Sequence, residues 1–178
     1  MRTVFFDIDT QLDFLYPSGA LYVPKAERIV PAVARLNRFA EASGFTVVST
    51  VDAHAEDDPE FGVWPPHCIA GTFGQRKPAA TLLDGARQIV FEKRTVDVFQ
   101  CVDIHRLLER LNAKSYVVYG VVTEICVLAA VRGLLKTGKP VTVVADAVET
   151  LRAEDSARAF AEMRAGGARI ASVAEVCG

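Results

Sequence analysis

Several short segments of the 178-residue chain end on groups that can do chemistry. They are Asp7, Asp9 and Asp13 in FFDIDTQLDF, Asp52 and His54 in STVDAH, Lys93 closing IVFEK, and Cys126 in VVTEICV. Cys126 follows the apolar run SYVVYG and opens a segment whose apolar face is Val127, Leu128, Val131, Leu134 and Leu135, with Thr123 placed to cap the helix. Near a helix N-terminus the dipole and unpaired N–H groups favour a thiolate, the nucleophilic form, and the same groups suit a developing oxyanion. A free cysteine in a helix is also commonly a small buried core residue, so position alone leaves both readings open. Asp9 can accept the thiol proton and return it to a leaving amine. Lys93 either stabilises a thiolate and a neighbouring carboxylate or forms a salt bridge; with Asp9 and Cys126 it would make an activated nucleophile.

Asp52 and His54 are two residues apart, so an extended segment projects both to one side, and His67 offers a third donor from the following loop. One carboxylate and two imidazoles with positions left for water suit a divalent metal: zinc, with iron or manganese as alternatives. Two of the three histidines fall here. His105, on a predicted helix, reads as a surface residue. Cys68 stands beside His67, away from any helix start.

These groups need a frame that brings them together. The runs Thr3 to Phe6, Thr46 to Thr50, Gln88 to Phe91, Ser115 to Tyr119, Val141 to Val144 and Arg169 to Ser172 read as strands. Amphipathic segments at Ala26 to Ser43, Asp103 to Leu111, Glu124 to Thr137 and Ala153 to Ala165 alternate with them. The alternation predicts an α/β domain over residues 1–178, a doubly wound and mostly parallel six-stranded sheet with helices on both faces. In such a sheet the ligand crevice lies beyond the carboxyl ends of the strands, where Asp9, Asp52, Lys93 and Cys126 fall. From Val51 to about Ala86 the periodicity lapses, and this stretch carries the only tryptophan. A loop that long is usually functional.

With 51% hydrophobic residues the chain can bury a full core, and a net charge of -2 leaves no electrostatic footprint for nucleic acid or an anionic membrane. The sequence enters an apolar strand directly, with no charged leader or cleavage site, and no apolar run approaches the roughly 20 residues of a membrane span. A cytoplasmic protein with its four cysteines reduced is expected.

The segments FFDIDTQLDF, STVDAH, VWPPHCIAGTFG, FEK and YGVVTEICV, in this order, resemble the isochorismatase-like cysteine hydrolases, nicotinamidase/pyrazinamidase branch. The resemblance implies an Asp9–Lys93–Cys126 triad and a metal on Asp52, His54 and His67. It implies a flat ring held between Phe14 and Trp64, and a cis peptide at Val121–Val122 that shapes, with Cys126, an oxyanion hole. The implied reaction takes a small, heteroaromatic amide substrate to acid and ammonia through a thioester, in a protein that is often a homo-oligomer. Two segments depart from the branch. The loop before Trp64 is short and acidic, with Glu56, Asp57, Asp58 and Glu60 where some members offer a histidine, and RTVDVF follows Lys93 without a Tyr-Ser pattern. Both departures suit an N-carbamoyl or ureido substrate as the alternative.

FFDIDT also fits a haloacid-dehalogenase phosphatase, with Asp7 as phosphoryl acceptor, Asp9 as acid, and Thr50, Lys93 and Asp146 in its later motifs. That reading leaves Cys126, His67 and the WPPHC loop without a role. An inert member that binds a metal or partner is a third reading, which the intact triad does not favour.

Overall fold

A computed structural model describes residues 2–178. Six strands, β1 (Thr3–Ile8), β2 (Thr46–Asp52), β3 (Gln88–Lys93), β4 (Ser115–Val121), β5 (Val141–Glu149) and β6 (Arg169–Ala171), form one sheet in the order β3-β2-β1-β4-β5-β6. Every pairing is parallel. The helices are α1 (Leu12–Leu15), α2 (Val30–Ala42), α3 (Val102–Leu111), α4 (Leu128–Leu135), α5 (Ala153–Ala165) and α6 (Val173–Cys177). Helices cover both faces, which is why Phe5, Phe6, Val47, Val48, Tyr116 and Val118 are all buried in uninterrupted runs rather than alternating with polar residues. Among the described residues no helix is long and apolar enough to cross a membrane.

Helix α2 buries Val33, Ala34, Leu36 and Ala40 on one stripe, carries a proline in its first turn, and is followed by Gly44 at a left-handed φ of 74°. Its predicted first turn is a separate 3-10 turn, Ala26–Ile29. Helices α1 and α6 are too short for periodicity to reveal. In α6 a capping box between Ser172 and Glu175 supplies the start signal instead.

The strands run two to five residues further than their apolar runs, except β6, which stops at Ala171. Asp7 therefore lies inside β1, and Asp52 and Lys93 are the last residues of β2 and β3. The chain reverses its winding between β1 and β4, so a crevice opens beyond those two strands. Gly120 permits this neighbourhood: its φ is 120°, and a Cβ there would stand 2.1 Å from the Ile8 carbonyl oxygen.

Candidate functional site

A cleft of about 490 Å³, its open mouth included, lies at that switch point. Asp9 reaches it from the end of β1, Asp52 from β2, and Cys126 from the turn after β4; Phe14, Glu60, Trp64, His67, Val121 and Val122 also line it. Lys93 lies behind the lining, buried, with Nζ 2.8 Å from Asp9 Oδ2 and 2.5 Å from Asp52 Oδ1. Two carboxylates from different strands thus share one ammonium. Burial opposes the charge on Lys93, but Asp9, Cys126 and Asp52 outweigh it and hold the pKa well above the usual lysine range. Asp52 is pushed up to about 6, by burial first and by the Asp9 carboxylate second, against the pull of Lys93. The Asp9 carboxylate is itself fixed by the Thr50 hydroxyl, which donates to Oδ1 at 2.6 Å.

The nucleophile region corrects one expectation. Thr123 caps no helix, because its hydroxyl donates to the Glu149 carbonyl at 2.7 Å, and Thr123–Val127 forms a π turn before α4. A wide turn of this kind is frequent at functional sites because it re-aims one side chain without ending the helix. Burial pushes the Cys126 thiol well above the ordinary thiol range, Lys93 pulls it down, and Asp9 and Asp52 add to the rise. Asp9 stands beside the thiol, placed to take its proton when the thiol attacks. The Val121–Val122 peptide is cis, and both residues line the cleft next to Cys126.

Asp52, His54 and His67 are buried and bring one donor atom each within 4.8 Å of one another, so this group can bind a metal. The donor set and its surroundings fit. His67 Nδ1 lies 2.7 Å from the Pro65 carbonyl oxygen, a contact in which it donates and which leaves Nε2 with a lone pair. His54 is fully buried, and neither ring nitrogen has an aligned hydrogen-bond partner, although Nδ1 lies 3.1 Å from Asp58 Oδ2. A buried imidazole left this way is costly unless something else uses its lone pair. Burial is also the leading cause that holds His67 below its ordinary pKa, in the neutral form a metal needs.

Residues around this group add functions that the sequence did not reveal. The Gln11 side chain grips Asp52 at both backbone atoms: Nε2 donates to its carbonyl at 2.8 Å and Oε1 accepts from its N–H at 2.7 Å. Asp13 accepts from the Cys68 N–H at 2.7 Å and so fixes the backbone next to His67. Its carboxylate fits there because residue 74 is glycine; a Cβ would sit 2.2 Å from it. Asp58 and Glu60 of the acidic loop face the histidines, Glu60 Oε1 standing 4.0 Å from His67 Nε2. The Phe14 ring packs on His67 at 5.3 Å between centroids, and Trp64 stands half-buried in the same cleft. The contacts of Gln11, Asp13, Asp58 and Glu60 carry no local sequence signal, since each partner lies 41 to 55 residues away or on a loop without periodicity, whereas Phe14 and Trp64 were already named by the family resemblance.

The remaining candidates lie elsewhere. Asp7 is fully buried, with both oxygens engaged by Thr10, Asn37, Ser49 and Lys77, and Asp146 accepts from the Val173 N–H at the start of α6. Neither lines the cleft, which leaves a phosphoryl-transfer site without its acceptor. Cys68 is buried, with its thiol raised by burial and by nearby carboxylates. His105 is exposed on α3.

A family model described as the isochorismatase domain matches residues 3–175. The nicotinamidase of Escherichia coli is 27% identical over 94% of this chain and 93% of its own length. The zinc-bound pyrazinamidase of Pyrococcus horikoshii superimposes with a TM-score of 0.89 at 30% identity, covering 97% of this chain and 99% of its own. The N-carbamoylsarcosine amidase of Thermoplasma acidophilum covers 100% of both chains with a TM-score of 0.88 at 25% identity.

Proposed function

Since the chain belongs to the isochorismatase family of hydrolases, we propose that it is a metal-containing cysteine amidohydrolase that converts a small heteroaromatic amide, nicotinamide in kind, to its acid and ammonia. The observation that carries this reading is Lys93 bridging Asp9 and Asp52 behind a cleft that Cys126 lines. Asp9 takes the thiol proton as Cys126 Sγ attacks the amide carbon, and backbone N–H groups around Val122 and Cys126 hold the oxyanion. The C–N bond then breaks, and the proton on Asp9 leaves with the amine as ammonia. Water, giving its proton to Asp9, hydrolyses the thioester to the acid and restores the thiol. Lys93 keeps Asp9 and Asp52 from repelling each other throughout. Phe14 and Trp64 hold the ring.

Asp52, His54 and His67 would hold the metal, zinc in the first instance, which supplies a Lewis-acidic centre that orients the substrate. Purified protein is expected to carry close to one divalent ion per chain, and the double variant His54→Ala/His67→Ala to carry none, by elemental analysis. Stoichiometric metal surviving in that variant would put the site elsewhere.

The resemblance to the N-carbamoylsarcosine amidase and the acidic side chain of Glu60 at the cleft favour a second reading within the same chemistry, an N-carbamoyl or ureido substrate. Ammonia release measured across nicotinamide, pyrazinamide and small N-carbamoyl compounds decides between them. Nicotinamide and pyrazinamide are expected to turn over fastest, and Trp64→Ala to weaken them by roughly 10-fold or more in kcat/KM through lost stacking, worth about 0.5–1.5 kcal/mol, and lost apolar burial. Rapid hydrolysis of an aliphatic carbamoyl compound with negligible turnover of nicotinamide would make the second reading the correct one.

A further inference from the structure

A second buried polar cluster lies within the fold, centred on Asp7 and Lys77, and the chemistry of the cleft does not use it. Lys77 exposes 3% of its side chain, and its Nζ lies 2.8 Å from Asp7 Oδ2. The same ammonium donates to the Thr10 hydroxyl and lies 3.5 Å from the Thr10 carbonyl oxygen. Thr10 in turn donates to Asp7 Oδ1 at 2.6 Å, and Asn37 Nδ2 donates to Oδ2 at 3.0 Å. Desolvating both charges costs about as much as their attraction returns, so well-packed apolar side chains would hold this loop to the sheet at least as firmly. A buried pair of this kind is thus weak evidence of a stabilising role. What an apolar pair would lack is a grip on Thr10 through its hydroxyl and its carbonyl together.

Thr10 is the neighbour of Asp9, whose φ of 50° is left-handed. A non-glycine residue persists there, at a cost of about 1–3 kcal/mol, only where its surroundings over-determine it. On one side Asp9 is held by Thr50 and Lys93. On the other its chain continues directly into the residue that Lys77 holds. We propose that Lys77 is a positioning residue for the reaction: seated on Asp7, it locks Thr10 and so keeps the Asp9 carboxylate turned toward Lys93 and Cys126. The proposal rests on the reading of Asp9 as proton carrier given above.

The test compares Asp9→Asn, Thr10→Val and the charge-neutral double variant Asp7→Asn/Lys77→Met, using the fastest amide of the panel above. Thr10→Val removes the gripped hydroxyl and keeps both charges; the double variant removes both charges together, so neither is left buried alone. In both, kcat is expected to fall by roughly 10- to 100-fold, the scale of a small misplacement of a reacting group. KM is expected to stay within about twofold and the metal content to be unchanged, because neither Thr10 nor Lys77 lines the cleft or belongs to the donor set. Asp9→Asn is expected to be inactive. Wild-type kcat in both test variants beside an inactive Asp9→Asn would reduce the pair to a structural one and overturn the proposal. Turnover by Asp9→Asn would overturn the role of Asp9 and the proposal with it. Should the double variant unfold, Thr10→Val decides alone.

Discussion

Cys126→Ala is expected to fold normally and to release no ammonia from any amide, a loss of roughly 10⁵–10⁶-fold in kcat. The size follows from the absence of a substitute: among the described residues, no other thiol or hydroxyl lines the cleft. Cys68 is the nearest thiol in sequence to the metal group, but its side chain is sealed in the core and its ionisation is opposed by burial and by the carboxylates around it. Loss of the sulfur from a half-buried position at a turn costs little packing, so the melting temperature should stay within a few degrees of the wild type. Asp7→Asn provides the contrast. It leaves the Lys77 ammonium buried without its counter-charge and is expected to be destabilised by about 3–5 kcal/mol, while still turning over substrate with kcat lowered by no more than roughly 100-fold. Full turnover in Cys126→Ala with its loss in a folded Asp7→Asn would restore the phosphotransfer reading.

Lys93→Met is expected to lose both activity and stability. The ammonium is the common partner of two buried carboxylates that approach from separate strands, and without it Asp9 and Asp52 face each other unshielded. Removing one partner of a buried pair costs about 3–5 kcal/mol, which at this chain length lowers the melting temperature by roughly 6–20 °C. Turnover should fall by at least about 10³-fold, because Asp9 loses the group that holds it in place. The loss should depend on pH in a definite direction. Asp52 is already raised to about 6 with Lys93 present, so the folded chain binds this proton more tightly than the unfolded chain, where a carboxyl titrates near about 4. Its contribution to stability is therefore greatest below the unfolded value and is lost as pH rises through the folded one. Without Lys93 the folded value moves higher still. Denaturation of the metal-free variant and wild type should show a smaller gap at pH about 5 than at pH about 8; an equal gap at both would mean that Asp52 does not carry the uncompensated charge.

Two kinds of information lie behind the site. Residue types near strand ends pointed to Asp9, Lys93 and Cys126 because a parallel sheet must present its ligands there, and the alternation of apolar runs with amphipathic segments was enough to predict such a sheet. The spacing of Asp52 and His54 pointed to one side of an extended segment, and the fold brings a donor atom of each within 4.8 Å of one from His67. The same reading put Asp7 among the strand-end groups, where burial inside β1 now gives it to Lys77. For Cys126 it left a nucleophile near a helix start and a small core residue both open; the fold sets the thiol at the cleft, raised by burial.

The amino-acid sequence by itself determined the elements and the chemical inventory, because hydrophobic period, turn residues and side-chain types act over a few neighbouring residues. Only the tertiary structure decided which groups meet and in what charge state. Lys93 bridges Asp9 and Asp52 because β3, β2 and β1 lie side by side in that order, and Cys126 joins them because β4 pairs with the other edge of β1. Gln11, Asp13, Asp58 and Glu60 acquired their roles through contacts with residues brought in from elsewhere in the chain or from an aperiodic loop. The pKa of a buried group is a sum over desolvation and neighbouring charges, and both exist only once the chain has closed around it.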